Sequence, residues 1–307
     1  MKQIRAALSL LLTLCLSTAA FAKPFSAIWI FGGPLEDVGN YASVFGDLPP
    51  PFYNNRFSNG PLAVETLAAQ LGFTATPSLH RIGPVRGNDF ASADAFASGP
   101  EPKDLRGQLD AYFAANDDVA DPDALYYMII GGNEIIQATF EPDDAKAHEI
   151  LRNAVEAKKS AIHRLVGAGA TTMFVDNFFD LGVTPQFLSA GLSERATKMA
   201  KIHNRLMKKM LDRVERQLRF RLIRFDVFQF THDALGGADA LRFTNTTDSC
   251  LALLPIGQCD FDHFLFFNEL FPSARTHQLW GNALVGALMR NGYCQKHPRG
   301  RVCREHD

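Results

Sequence analysis

Cysteine is scarce in this 307-residue chain, five in all, and no two stand as Cys-x-x-Cys. A zinc site therefore has little to rest on. Beyond the first two dozen residues no apolar run is long enough to cross a bilayer, which argues against a transmembrane protein. Basic residues form no block apart from the short tail Lys296 to Arg304, so nucleic-acid binding has no support. Internal repeats and low-complexity linkers are also missing, and nothing marks a domain boundary across residues 23–293. The apolar content, 47% of residues, suffices for one large core.

The N-terminus reads as a secretory signal over residues 1–22. Lys2 and Arg5 give the positive start, Ala6 to Thr18 the apolar centre and Ala20-Phe21-Ala22 a small-x-small cleavage site before Lys23. An exported protein is expected, periplasmic or extracellular. Cys15 lies inside this segment after Leu14, where a lipoprotein signal needs a small residue, so no lipid anchor is expected. Loss of Lys2 and Arg5 takes the formal charge from −2 to −4. Four cysteines then remain, Cys250, Cys259, Cys294 and Cys303, an even number in a chain bound for an oxidising compartment. Three pairings are open; local pairing, Cys250–Cys259 and Cys294–Cys303, is favoured because each closes a short loop containing Gly and Pro.

Strands are predicted at Phe25 to Phe31, Leu125 to Ile130, Thr171 to Val175 and Leu222 to Phe228, each a short apolar run. Helical spacing covers Pro61 to Gly72, Ala145 to Leu165, Arg195 to Leu218 and Pro272 to Met289. Leu48 to Gly60, with three prolines and Asn59-Gly60, reads as a long loop. The alternation predicts an α/β fold with a mostly parallel sheet between two helical layers. In such sheets the working cleft lies beyond the carboxyl ends of the strands, where Gly32-Gly33-Pro34 and Gly131-Gly132-Asn133 fall.

Phe31-Gly32-Gly33-Pro34-Leu35-Glu36-Asp37-Val38-Gly39-Asn40 is similar to the F-G-D-S-L-x-D-x-G-N block of GDSL (SGNH-hydrolase) esterases. Further blocks follow in that family's order: Asn55-Arg56-Phe57-Ser58-Asn59-Gly60-Pro61, Asp89-Phe90-Ala91-Ser92-Ala93, Gly131-Gly132-Asn133-Glu134-Ile135, Asn177 to Pro185, and Phe266-Phe267-Asn268-Glu269-Leu270-Phe271-Pro272. The resemblance runs from about Phe25 to Gly292. It implies the three-layer, flavodoxin-like SGNH-hydrolase fold, an ancestral acyl or carbohydrate ester substrate, and no cofactor or metal.

The same resemblance implies that the chemistry has been lost. Gly33 stands where the family has aspartate and Pro34 where it has the nucleophilic serine; Asn268 and Phe271 replace the Asp and His of D-x-x-H-P. Proline offers neither hydroxyl nor backbone N–H, and phenylalanine accepts no proton. Of the oxyanion donors, Pro34 removes one, Ala93 stands where the family has glycine, and Asn133 is retained. Losing one such donor typically costs ~10²–10³ in rate, and losing triad members more.

An inactive relative is therefore expected, retaining at most binding of a lipid, acyl ester, glycan or protein partner. The candidate cleft comprises Gly32, Gly33, Pro34, Ser92, Asn133, Phe267 and Phe271, as a groove or closed by an aromatic plug. A defective relative with no present role fits the same residues. The alternative is an active hydrolase with a rebuilt nucleophile, Ser92 being the candidate and His277 a replacement base, each read first as structural. Ser58 is read as a loop residue, and His263 beside Asp260 and Asp262 as part of a polar loop rather than a metal ligand. Glu36 and Glu134 are expected as solvated or helix-N-terminal carboxylates.

Overall fold

A computed structural model describes residues 24–293 and a short pairing of 296–297 with 300–301. The proposed signal segment and the Cys294–Cys303 pairing lie outside the described residues. In chain order the elements are β1 (Ile28–Gly32), α1 (Asn40–Phe45), α2 (Ala63–Gln70), α3 (Leu105–Ala115), β2 (Leu125–Ile129), α4 (Gly132–Phe140), α5 (Asp144–Gly167), β3 (Thr172–Asp176), α6 (Pro185–Ser189), α7 (Ser193–Gln217), β4 (Arg221–Phe225), α8 (Val227–Gly236), α9 (Cys250–Leu253), α10 (Ala274–Arg290), β5 (Lys296–His297) and β6 (Gly300–Arg301).

Strands β1 to β4 pair in parallel in that order, in register through Ile28–Leu125, Leu125–Thr172 and Thr172–Arg221. β2 and β3 are buried along their whole length, as strands covered on both faces must be. Their alternation feeds two cores. Ile30, Tyr127, Ile129, Phe174 and Ile223 pack with α2 and α10; Phe31, Tyr126, Met128, Met173 and Leu222 pack with α3, α5 and α7. Residues 88–90 run beside β1, with Ile30 N–H donating to Asn88 O at 2.9 Å and Phe90 N–H to Ile30 O at 2.8 Å. Counting that segment as an edge, the spatial order is 2-1-3-4-5, the flavodoxin-like arrangement. The three-layer α/β/α expectation holds.

Several details differ from the sequence reading, among them the end of β4 and the helices α3 and α4. β4 ends at Phe225 instead of running to Phe228, because the Asp226 carboxylate accepts from Gln229 N–H and starts α8. Helices α3 and α4 were not anticipated. Each carries a glycine where a side chain would collide: a Cβ at Gly107 would press on Pro102, and one at Gly132 on the Phe178 ring. Packing there outweighs glycine's poor helix propensity. The Cys250–Cys259 disulfide is present, with a Cα–Cα distance of 4.8 Å.

Candidate functional site

Gln108 of α3 fixes the carboxyl end of β1. Its Oε1 accepts from Gly32 N–H at 3.0 Å and its Nε2 donates to Gly32 O at 2.9 Å. Gly32 must be glycine, since a Cβ would lie 2.8 Å from both Ile129 O and a Glu36 carboxylate oxygen. Gly33 faces open space, and its carbonyl accepts from Glu36 and Asp37 N–H, closing the turn that carries the half-buried Pro34.

Three residues on, Asp37 gathers four backbone donors. Oδ1 accepts from Gly39 and Asn40, both at 2.7 Å, and Oδ2 from Tyr41 at 3.0 Å and Ala93 at 2.9 Å. Burial raises its pKa to about 6 against the pull of those donors, so it is ionised at neutral pH. Asn40 ties the same turn to residues 78–91, donating to Asp89 O and Ala91 O and accepting from Leu79 N–H. The Ala93 N–H, the donor that the resemblance assigns to the oxyanion, is thus held by Asp37.

Ser92 is fully buried. Its hydroxyl donates to Asp94 Oδ1 at 2.7 Å and accepts from Arg81 Nη1 at 2.9 Å. Asp94 is itself paired with Arg81 and Lys103. An acceptor already matched to two cations is a poor base, and the histidine nearest in sequence, His80, bonds Ser78 Oγ and Pro102 O instead.

Asn133 sits in the first turn of α4, after Gly131 at φ 116°. Its Nδ2 donates to Ala95 O at 2.7 Å and lies 3.4 Å from Ala93 O, so the structure brings Asn133 and Ala93 together. The amide is engaged by backbone rather than aimed at an open site. Beneath this turn lies a buried polar group that sequence reading missed. Lys158 Nζ donates to Ile130 O at 2.5 Å and to His203 Nε2 at 2.8 Å. The Asn204 carboxamide oxygen accepts from His203 Nδ1, which fixes the tautomer that leaves Nε2 to accept. Burial lowers Lys158 from the usual lysine range, opposed by the charge of Glu134; burial also raises Glu134 and drives His203 well below its ordinary value.

Glu134 stands in the first turn of α4, the helix-N-terminal place expected of it, whereas Glu36 lies in no helix and is not solvated. Both are buried. Glu134 Oε1 accepts from Ser98 N–H and Oγ–H, while Oε2 has no hydrogen-bond partner among the described residues. Glu36 shares its surroundings with Asp89 and Asp176, and burial pushes all three carboxyls well above the usual range. Tyr127 Oη donates to Asp176 Oδ2 at 2.6 Å. Among the described residues, no group of three His, Cys, Asp or Glu side chains is placed to hold a metal ion.

The C-terminal block forms a tight turn. Asn268 Oδ1 accepts from Leu270 and Phe271 N–H at 2.9 and 2.7 Å, and Phe267 N–H donates to Phe271 O. Asn268 therefore shapes the turn instead of orienting a neighbour. Phe271 packs edge-on against Phe57, 5.3 Å between centroids, and Phe57 reaches Tyr41 at 5.4 Å. Phe267 is fully buried, 5.0 Å from Phe52 and 5.8 Å from Phe261. A Phe52–Phe57 contact at 6.0 Å joins these rings into one aromatic layer, which reaches Tyr41 beside Asn40 of the first block. The disulfide-closed segment grips the same turn, with Leu251 N–H donating to Phe267 O at 2.9 Å. His277 lies away from it: buried, neutral with its pKa lowered to about 3 by desolvation, it accepts from Ala63 N–H at the start of α2. Ser58 is buried in its loop at 3.5 Å from Pro272 O, and His263 bonds Asp260 at 2.8 Å.

The missed residues differ in legibility. Asp37 stands just before Gly39-Asn40 and a helix start, which could have marked it as a collector of N–H donors. Lys158 and His203 gave no signal, being charged or polar positions on long amphipathic helices.

Comparison with known proteins accords with this geometry. The profile described as GDSL-like lipase/acylhydrolase matches residues 29–284. Lipase 1 of Photorhabdus luminescens is 26% identical over 242 residues, covering 77% of this chain and 35% of that protein. Phosphatidylcholine-sterol acyltransferase of Aeromonas hydrophila is 32% identical over 197 residues, covering 62% and 55% respectively. The chain thus spans about a third to a half of these two relatives. A crystal structure of a catalytic mutant of Axe2, an acetylxylan esterase from Geobacillus stearothermophilus, superposes with a TM-score of 0.47 at 14% identity, covering 85% of this chain and 93% of that one. With the profile spanning most of its length and the motif blocks falling at the strand ends, the chain belongs to the GDSL lipase/acylhydrolase family.

Proposed function

We propose that this protein is an exported GDSL-family member that no longer hydrolyses esters and keeps at most a binding role at the old ester cleft. One observation carries the reading. Every donor the family would turn toward a developing oxyanion is absent or engaged: Pro34 has no N–H, Ala93 N–H is bound by Asp37, and Asn133 Nδ2 is bound by Ala95 O. Preorganised donors supply the largest single share of such catalysis. Their occupation compounds the lack of a hydroxyl at Pro34 and of an imidazole at Phe271. The packing of Phe271 against Phe57 supports a plugged cleft over an open groove. Export is supported by the leader-like residues 1–22 and by the Cys250–Cys259 bridge, which suits an oxidising compartment.

The test is hydrolysis of p-nitrophenyl acetate and butyrate by the purified mature chain, with Ser92→Ala as control. Rates equal to buffer for both proteins are expected. Turnover that Ser92→Ala abolishes would overturn the reading in favour of a rebuilt hydrolase. Fractionation with N-terminal sequencing checks export, the expected first residue being Lys23.

A further inference from the structure

Lined by none of the candidate cleft residues, a groove of about 460 Å³ opens between the 97–100 loop, α3 and α5. That volume lies within the range of small-molecule sites. Its floor is apolar, built from Leu105, Leu109, Ala157 and Ala161, while Arg106 and Arg164 stand on its walls. Both guanidiniums share one carboxylate. Asp110 pairs with Arg164, and its other oxygen lies 3.9 Å from Arg106. Among these three side chains one positive charge is in excess, while Asp104 and Glu134 stand behind the 98–99 wall, engaged with loop N–H groups. Arg164 Nε and Nη2, and all the Arg106 nitrogens, make no hydrogen bond among the described residues. The Arg164 guanidinium lies over the Phe113 ring at 4.4 Å, which holds it in place. The opposite wall is anchored too, because Ser98 N–H and Oγ–H both hold Glu134, so the groove is formed before anything enters it.

We infer that this groove binds an amphipathic monoanion, a medium-chain acyl carboxylate, with its tail on the Leu105–Ala161 floor and its head on the guanidinium edges of Arg106 and Arg164 that Asp110 leaves unbonded. A single excess charge suits a carboxylate better than a phosphate dianion. The inference goes beyond the reading of the old cleft and does not depend on it: hydrolysis by this protein would leave it standing, and failure to bind decanoate would leave the inactive cleft unaffected.

Isothermal titration of the mature chain with sodium decanoate, below its aggregation concentration, tests the assignment, with decyl phosphate and decyltrimethylammonium as head-group controls. One-to-one binding of decanoate is expected, with the phosphate weaker and the cation at least about tenfold weaker. Ala157→Phe, which fills the floor, should abolish binding. Arg106→Ala should weaken it several-fold; Arg106 is 82% exposed, so this variant tests the groove even if Ala157→Phe fails to fold. Equal affinity for the cationic chain, tighter binding of the phosphate, or decanoate affinity unchanged in Arg106→Ala or in folded Ala157→Phe would each overturn the proposal. So would the absence of heat at millimolar decanoate.

Discussion

Asp37→Asn separates the two forces acting on the most heavily bonded carboxylate of the cleft. The wild-type group accepts four backbone N–H donors yet has its pKa raised to about 6, above the 3.8 of an unfolded aspartate. Because the folded value is the higher one, the folded chain binds more protons between those limits. The stability this group contributes is complete below 3.8 and is lost as pH rises through 6. Integrated between pH 4.5 and 7.5, that loss is about 2 kcal/mol. Asparagine removes the titration. Its single carboxamide oxygen still serves two donors, but its Nδ2 confronts the others, leaving two buried N–H groups unpaired at roughly 1–3 kcal/mol each. Urea unfolding of both proteins at the two pH values reads the effect. Asp37→Asn should be the less stable at pH 4.5, and the gap should narrow by about 2 kcal/mol at pH 7.5. A gap that widens with pH would refute the reasoning, because it would mean that the four donors outweigh burial and hold the carboxyl below its ordinary value.

Lys158→Met keeps the volume but leaves Ile130 O and His203 Nε2 without a donor; urea midpoints should fall by the equivalent of about 2–5 kcal/mol. As Lys158 is lowered by burial, its contribution in the wild type is complete at high pH and lost as pH falls through the folded value, so the deficit of the variant should be largest on the alkaline side. Gly32→Ala, whose Cβ would lie 2.8 Å from Ile129 O, should cost about 1–3 kcal/mol, whereas Gly33→Ala, facing open space, should stay within about 0.5 kcal/mol in the same assay. Cys250→Ser opens a bridge of sequence separation 9 and should cost about 2–3 kcal/mol by thermal unfolding without reductant.

Much of this fold was legible because its strands are short apolar runs, β1 and β2 ending at glycine, and its long helices keep their period from end to end. The strand ends at Gly32 and Gly131 pointed to the cleft for the same reason. What escaped was what depends on the third dimension. Gly107 and Gly132 look like helix breakers until Pro102 and Phe178 are seen against them. Glu36 and Glu134 read as solvated or helix-N-terminal carboxylates, and the burial of both was not legible. Ala93 was legible as a residue, but the capture of its N–H by Asp37, 56 positions away, was not.

The grip of Leu251 on Phe267 joins the cystine bridge to the aromatic layer around the Asn268–Phe271 turn. Thiol reagents used in handling this protein would then do more than lower its melting point. Breaking that crosslink would loosen the backbone at those rings, so preparations kept in dithiothreitol and preparations kept in air should be regarded as two different samples in any ligand screen.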